Sequence, residues 1–150
     1  YHISTRRTAF GKKYCWWIKD KLDIAKMKRA AACFEGMKDF KSFGQKDNSD
    51  KSTKVLVNFC RVIEKDDSVF IHINGSHFLW KMVRRITGII AEAGRGKLDI
   101  REIEEMFRNI SDKPAKLTAP PSGLYLEKVY YKGEIITDEF RINLIINKIN

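Results

Sequence analysis

A chain of 150 residues is long enough for one domain with a single hydrophobic core. Its 43% hydrophobic and 32% charged content excludes a disordered chain, and 29 Lys and Arg against 19 Asp and Glu give a net charge of +10, which attracts polyanions, nucleic acid being the commonest. Cys15, Cys33 and Cys60 show neither C-x-x-C spacing nor a neighbouring His, which argues against a disulfide framework or a zinc site and for reduced thiols in the cytoplasm.

No apolar run nears the roughly 20 residues that cross a bilayer, and no signal peptide opens the chain. It starts at Tyr1 rather than Met, as a piece of a longer protein would.

Residues 1–18 read as extended or looped, with Tyr14, Trp16 and Trp17 indicating a strand. Asp23 is placed to cap a helix running to about Phe34, with Ile24, Met27, Ala30 and Ala31 on one face and Gly36 as the stop. The polar stretch 38–53 is expected to be a loop. Two strands follow, 55–64 and 68–73, joined by the turn Lys65-Asp66-Asp67; Val69, Ile71 and Ile73 alternate with Phe70 and His72.

Ser76 then stands as the cap of a long helix to about Ala93, ended by Gly94 and Gly96, and Asp99 as the cap of a second helix through Phe107 and Arg108. After the turn 119–123 a last strand is expected over 124–131, and an Ile-rich tail closes the chain. Helices interspersed irregularly with strand pairs predict an α+β fold. The expected architecture is an antiparallel sheet with helices on one face, in a ferredoxin-like or RRM-like layout but without the aromatic signature of a true RRM.

The 76–93 segment carries the strongest signal. Wound as a helix, it stacks Phe78, Met82, Ile86, Ile90 and Ala93 at spacings of three and four, while His77, Lys81, Arg84, Arg85 and Gly88 fall on the opposite side. Three cations lie within five residues with no acid among them, so their repulsion calls for an anion, from RNA or from a buried carboxylate. Gly88 costs about 1 kcal/mol of helix stability relative to Ala, a cost that often serves close approach by another backbone or a ligand.

Three motifs in order resemble the TruA family of tRNA pseudouridine synthases. Phe78-x-x-x-Met82-Val83-Arg84-x-Ile86-x-Gly88 is similar to that family's signature helix, Gly36-x-x-Asp39-Phe40-x-Ser42-Phe43 to the loop before it, and Ala119-Pro120-x-x-Gly123-Leu124-Tyr125-Leu126 to its final motif. The resemblance covers residues 1–131 and implies isomerisation of uridine to pseudouridine in the tRNA anticodon stem-loop, by a cytoplasmic homodimer without cofactor or metal. Each subunit would have two α+β halves, residues 1–133 forming the C-terminal half and 134–150 a tail. The essential Asp would lie in an Arg-Thr-Asp-x-Gly loop of the N-terminal half. No such loop occurs here; the nearest string, Arg7-Thr8-Ala9-Phe10-Gly11, has Ala at that place and lies too near the signature helix.

By the same resemblance Arg84 would hold that Asp ionised, and Leu124 would pack near the flipped base. Tyr1 would match the second tyrosine of a Tyr-x-Tyr strand motif, whose first member faces the base. Lys81 and Arg85 suit phosphate contacts. Arg6, Arg7, Lys12 and Lys13 stand beside Tyr14, Trp16 and Trp17, a mixture of cations and aromatics suited to loop RNA, and Lys46, Lys51 and Lys54, in or beside the polar stretch, are candidates for further contacts with the tRNA backbone. On this reading the chain is inactive alone, half of an active site. The alternatives are a non-catalytic RNA-binding module and a basic protein-interaction domain that docks through its tail at 135–149.

Overall fold

The computed structural model describes residues 1–7, 9, 11–44, 52–137 and 140. Thr8, Phe10, Lys46, Lys51 and most of the Ile-rich tail lie outside the described residues.

The hairpin expected from alternation is the spine of the sheet: β4 (Lys54–Lys65) and β5 (Ser68–Gly75) pair antiparallel from Lys65↔Ser68 to Val57↔Gly75. Asp66 takes the left-handed conformation (φ 50°) that the tight turn requires, one that Asp tolerates better than most residues. A register shift between Val57 and Phe59 inserts an extra residue. Val55 and Val57 before it, and Cys60 and Val62 after it, therefore all reach the core, while Phe59 turns to the other face against His72.

Around this hairpin the sheet order is β2-β1-β5-β4-β3. The short β1 (His2–Ser4) lies antiparallel to β5, β2 (Trp16–Trp17) runs parallel to β1, and β3 (Gly36–Asp39) lies antiparallel to β4. The sheet is thus mixed, antiparallel but for one two-residue edge pair. The loop expected at 38–53 starts later than anticipated, because Lys38 and Asp39 belong to β3 and pair with Val55 and Lys54.

Helix α1 (Ile24–Ala32) is capped by Asp23, whose carboxylate accepts from the Lys26 amide at 2.9 Å, and lies against β4 and α2 (Met82–Gly94). Helix α3 (Ile100–Arg108) begins with a full capping box between Asp99 and Glu102. It brings Phe107 into a cluster with Phe34, Phe40 and Phe43, ring centroids 4.9 to 5.7 Å from Phe107. A short α4 (Lys113–Lys116) and a single 3-10 turn (Pro121–Gly123) complete the α+β fold. Among the described residues no helix is long and apolar enough to cross a membrane.

Two expectations are corrected. Helix α2 starts at Met82, not after Ser76: the hairpin ladder continues past Gly75, the Ser76 amide donating to the Leu56 carbonyl at 2.8 Å and the Leu56 amide to the Ser76 hydroxyl at 3.3 Å. Lys81 takes a left-handed conformation (φ 63°) at the helix cap, so His77, Phe78 and Lys81 lie outside the helix. The strand expected over 124–131 is also absent; that stretch is irregular. A strand needs a neighbouring edge for its amides and carbonyls, and the edge of β1 beside this segment is taken by β2.

Candidate active site

The helix expected to show a core stripe and a cationic face is buried nearly all round from Ile86 onward, with Thr87, Gly88 and Ala91 as inaccessible as Ile86 and Ile90. The supposed polar side is covered by the segment around Leu117 and Ala119. A Cβ on Gly88 would stand 1.7 Å from the Leu117 carbonyl oxygen, so only glycine lets this backbone cross the helix. The close approach that the glycine announced is therefore to backbone.

One turn earlier, Arg84 ties the same segment to α2 through both its main chain and its side chain. The Ala119 amide donates to the Arg84 carbonyl at 3.0 Å, and Arg84 Nε donates to the Ala119 carbonyl at 2.7 Å. These bonds fix the plane of the guanidinium. Among the described residues its two terminal nitrogens have no hydrogen-bond or carboxylate partner. Such a fork is the geometry that receives a carboxylate on two nitrogens at once.

Tyr1 approaches from β1. Its hydroxyl donates to the Pro120 carbonyl at 2.6 Å, and its ring lies edge-on to Trp16 with centroids 6.4 Å apart. Burial pushes the Tyr1 phenol above its ordinary value, partly offset by the positive charge of Arg84, so it remains a proton donor to Pro120. A Cβ on Gly123 would collide with the Tyr1 ring at 2.6 Å and with the His2 carbonyl at 2.5 Å. The turn 119–123 is thus wedged between α2 and β1, and it delivers Leu124, 42% exposed, to the surface beside them. Chain positions 1, 84 and 119–124 meet in one place.

The other residues singled out in the sequence lie elsewhere. Arg85 points away from Arg84: its Nη1 donates to the Gly44 carbonyl at 2.7 Å and reaches the Ser42 carbonyl at 3.4 Å. Two backbone carbonyls thus accept from Arg85, while its buried Nε has no partner among the described residues. Lys81 is half-buried at the mouth of α2. Arg6 forms an exposed pair with Asp67 at 3.6 Å, and the Arg7 guanidinium lies 5.5 Å from the Trp17 ring centroid. Lys12 and Lys13 are exposed in the turn that the Tyr14 amide closes on the Gly11 carbonyl at 2.9 Å, and Lys54 is exposed at the start of β4.

Sequence reasoning missed the carbonyls of Ala119 and Pro120, which orient Arg84 and Tyr1; main-chain acceptors leave no mark in residue types. No group of three or more His, Cys, Asp or Glu that could hold a metal occurs among the described residues.

Comparison with known proteins gives this cluster a context. The family model described as tRNA pseudouridine synthase matches residues 30–132. A tRNA pseudouridine synthase A of Clostridium botulinum (strain Eklund 17B / Type B) is 33% identical over 125 residues, 83% of this chain and 51% of that relative. One from Thermoanaerobacter sp. (strain X514) is 36% identical over 120 residues, 80% of this chain and 49% of that relative. The chain therefore spans about half the length of the curated relatives it matches. With motif residues from α2 and from the 119–124 turn assembled around Arg84 inside the matched region, the chain belongs to the tRNA pseudouridine synthase family.

Proposed function

We propose that the full-length protein isomerises uridine to pseudouridine in the anticodon stem-loop of tRNA, and that this chain supplies the arginine half of its active site. The carrying observation is the Arg84 fork, held in orientation through Nε while both terminal nitrogens remain open among the described residues. Residues 1–133 are read as the C-terminal half of the catalytic domain and 134–150 as a tail. The family resemblance supports a homodimer acting in the cytoplasm without metal or cofactor.

In the reaction the N1–C1′ bond of uridine breaks, the base turns over and C5 bonds to C1′. The C5 proton is then lost while N1 gains one. A carboxylate has to remain ionised beside the sugar in a site from which water is excluded, where burial alone would neutralise it; an adjoining guanidinium holds it charged. Arg84 is assigned that role toward an Asp contributed from outside this chain. Leu124 offers an apolar surface to a base that has lost its stacking. Tyr1 holds the 119–123 turn in place through Pro120. Lys81, Arg6, Arg7, Lys12 and Lys13 are assigned to tRNA phosphates, and Arg85 to bracing the Ser42–Gly44 turn from which it could reach the same backbone.

The test is tritium release from tRNA labelled at uridine C5 by the full-length protein and its Arg84→Ala and Arg84→Lys variants. Loss of one preorganised charge in a water-poor site is expected to lower kcat by about 100-fold or more, with tRNA affinity within a few-fold of wild type. Lys, lacking the planar fork, should rescue little of the loss. Undiminished release by Arg84→Ala removes Arg84 from the mechanism. A full-length protein that binds tRNA tightly and releases no tritium is a non-catalytic RNA-binding module instead.

A further inference from the structure

The segment that carries Leu124 is fastened on a second side, by contacts that the catalytic reading leaves unused. The Tyr125 hydroxyl donates to the Tyr14 carbonyl at 2.5 Å, and the Ser122 hydroxyl to the Cys15 carbonyl at 3.2 Å. These acceptors are consecutive carbonyls at the end of the 11–15 turn, more than 100 residues away in sequence. The turn is itself closed by two bonds to the Gly11 carbonyl, from the Tyr14 amide at 2.9 Å and from the Cys15 thiol at 3.2 Å. It leads into β2, which is registered on β1 through Ile3↔Trp16.

The turn exposes Lys12, Lys13 and Tyr14 (54% exposed), and Arg7 lies over Trp17 just beyond it. It thus combines cations with aromatic faces, the make-up that grips RNA backbone and unstacked bases. On the other side of Leu124, Gly123 is flush against Tyr1 and the His2 carbonyl. Leu124 therefore sits between two anchors, one on β1 and one on the basic turn. Tyr125 is well placed to donate, since burial raises its phenol above the ordinary value and keeps it protonated.

Resting on the function proposed above, we propose that Ser122 and Tyr125 are positioning residues that couple tRNA contact at the 11–15 turn to the placement of Leu124 against the flipped base. Docking of the turn on tRNA would set the position of two carbonyls, and through their hydroxyl donors that of the Leu124 backbone. Neither residue touches the substrate in this scheme.

The experiment uses the full-length protein and Tyr125→Phe, which keeps the ring and removes the donor, with Ser122→Ala as its companion and Lys12→Ala/Lys13→Ala as the perturbation of the turn. Tyr125→Phe is expected to lower kcat by about 5- to 10-fold while tRNA affinity changes less than about 3-fold, because the lost contact acts on positioning and not on phosphate binding. In wild type the double lysine variant should weaken tRNA binding and also lower kcat; in the Tyr125→Phe background its effect on kcat should vanish, a non-additivity of about 3-fold or more.

Amide hydrogen exchange supplies a readout that needs no turnover. Bound tRNA should slow exchange over 11–15 and 122–126 together in wild type, and over 11–15 alone in Tyr125→Phe. Additive effects on kcat, or protection of 122–126 that survives in Tyr125→Phe, overturn the coupling. Joint protection in a wild-type protein that releases no tritium would leave the coupling standing and sink the catalytic reading instead.

Discussion

Cys60 lies on the core face of β4, and burial pushes its thiol up to about 12, with the nearby Glu35 carboxylate adding to the shift and Arg61 opposing it. The unfolded thiol ionises near 9.0. Above that pH the unfolded chain has released a proton that the folded one still holds, so stability is full below about 9 and declines as pH rises toward about 12. Between pH 8 and pH 10 the contribution is about 1.4 kcal/mol, one unit's worth beyond the unfolded value. Urea unfolding of wild type and Cys60→Ala at both pH values checks this: the wild-type curve should lose about that much more than the variant's, and parallel losses would refute it. Arg84 and Arg85 show how far adjacent residues diverge. Among the described residues one keeps an open fork beside Tyr1, whereas its neighbour donates to Gly44, and residue type distinguishes them in no way.

At the scale of elements, α2 is defined by what crosses it. Gly88→Ala would drive a methyl group into the Leu117 carbonyl, and relieving that clash must move either the helix or the segment bearing Ala119. The expected cost is about 1–3 kcal/mol in urea unfolding, at the level of an overpacked core. Because Ala119 orients Arg84, tritium release by the full-length variant should fall with it; a variant as stable and active as wild type would contradict this contact. Helix α3 is short, and its capping box satisfies amides that would otherwise lack partners. Asp99→Ala should lower stability by about 1 kcal/mol and speed amide exchange in the first turn of α3, which holds Phe107 in its aromatic cluster.

Hydrophobic alternation revealed the β4–β5 hairpin because the residues that each strand sends to the core recur every two positions. Capping chemistry revealed α1 and α3 for a similar reason: Asp23 and Asp99 act within three residues of themselves. Ser76 misled because its hydroxyl meets a cross-strand amide twenty residues away, and a local rule cannot register that partner.

Taken whole, the chain has a net charge of +10 and exposes Arg6, Arg7, Lys12 and Lys13, the last two on the turn that Ser122 and Tyr125 hold. If these four contact phosphate, tRNA affinity of the full-length protein should drop roughly 100-fold between 50 and 200 mM salt, as counterion release at four sites requires. Affinity indifferent to salt would exclude them as phosphate ligands. The 150-residue chain assayed alone should release no tritium, since among its described residues no carboxylate meets Arg84.

The sequence by itself determined the α+β class, the central hairpin and membership of the pseudouridine synthase family, because strand periodicity, helix caps and motif spacing are written in neighbouring residues. Only the tertiary structure decided where α2 begins, that Gly88 receives the Leu117 backbone, and that the terminal nitrogens of Arg84 stay open among the described residues while Arg85 Nη1 is bound to Gly44. It also decided that Tyr125 and Ser122 reach the 11–15 turn. Each of those outcomes depends on a main-chain carbonyl or amide brought in from a distant part of the chain. Such groups are the same in every residue and acquire a role only once the chain is packed.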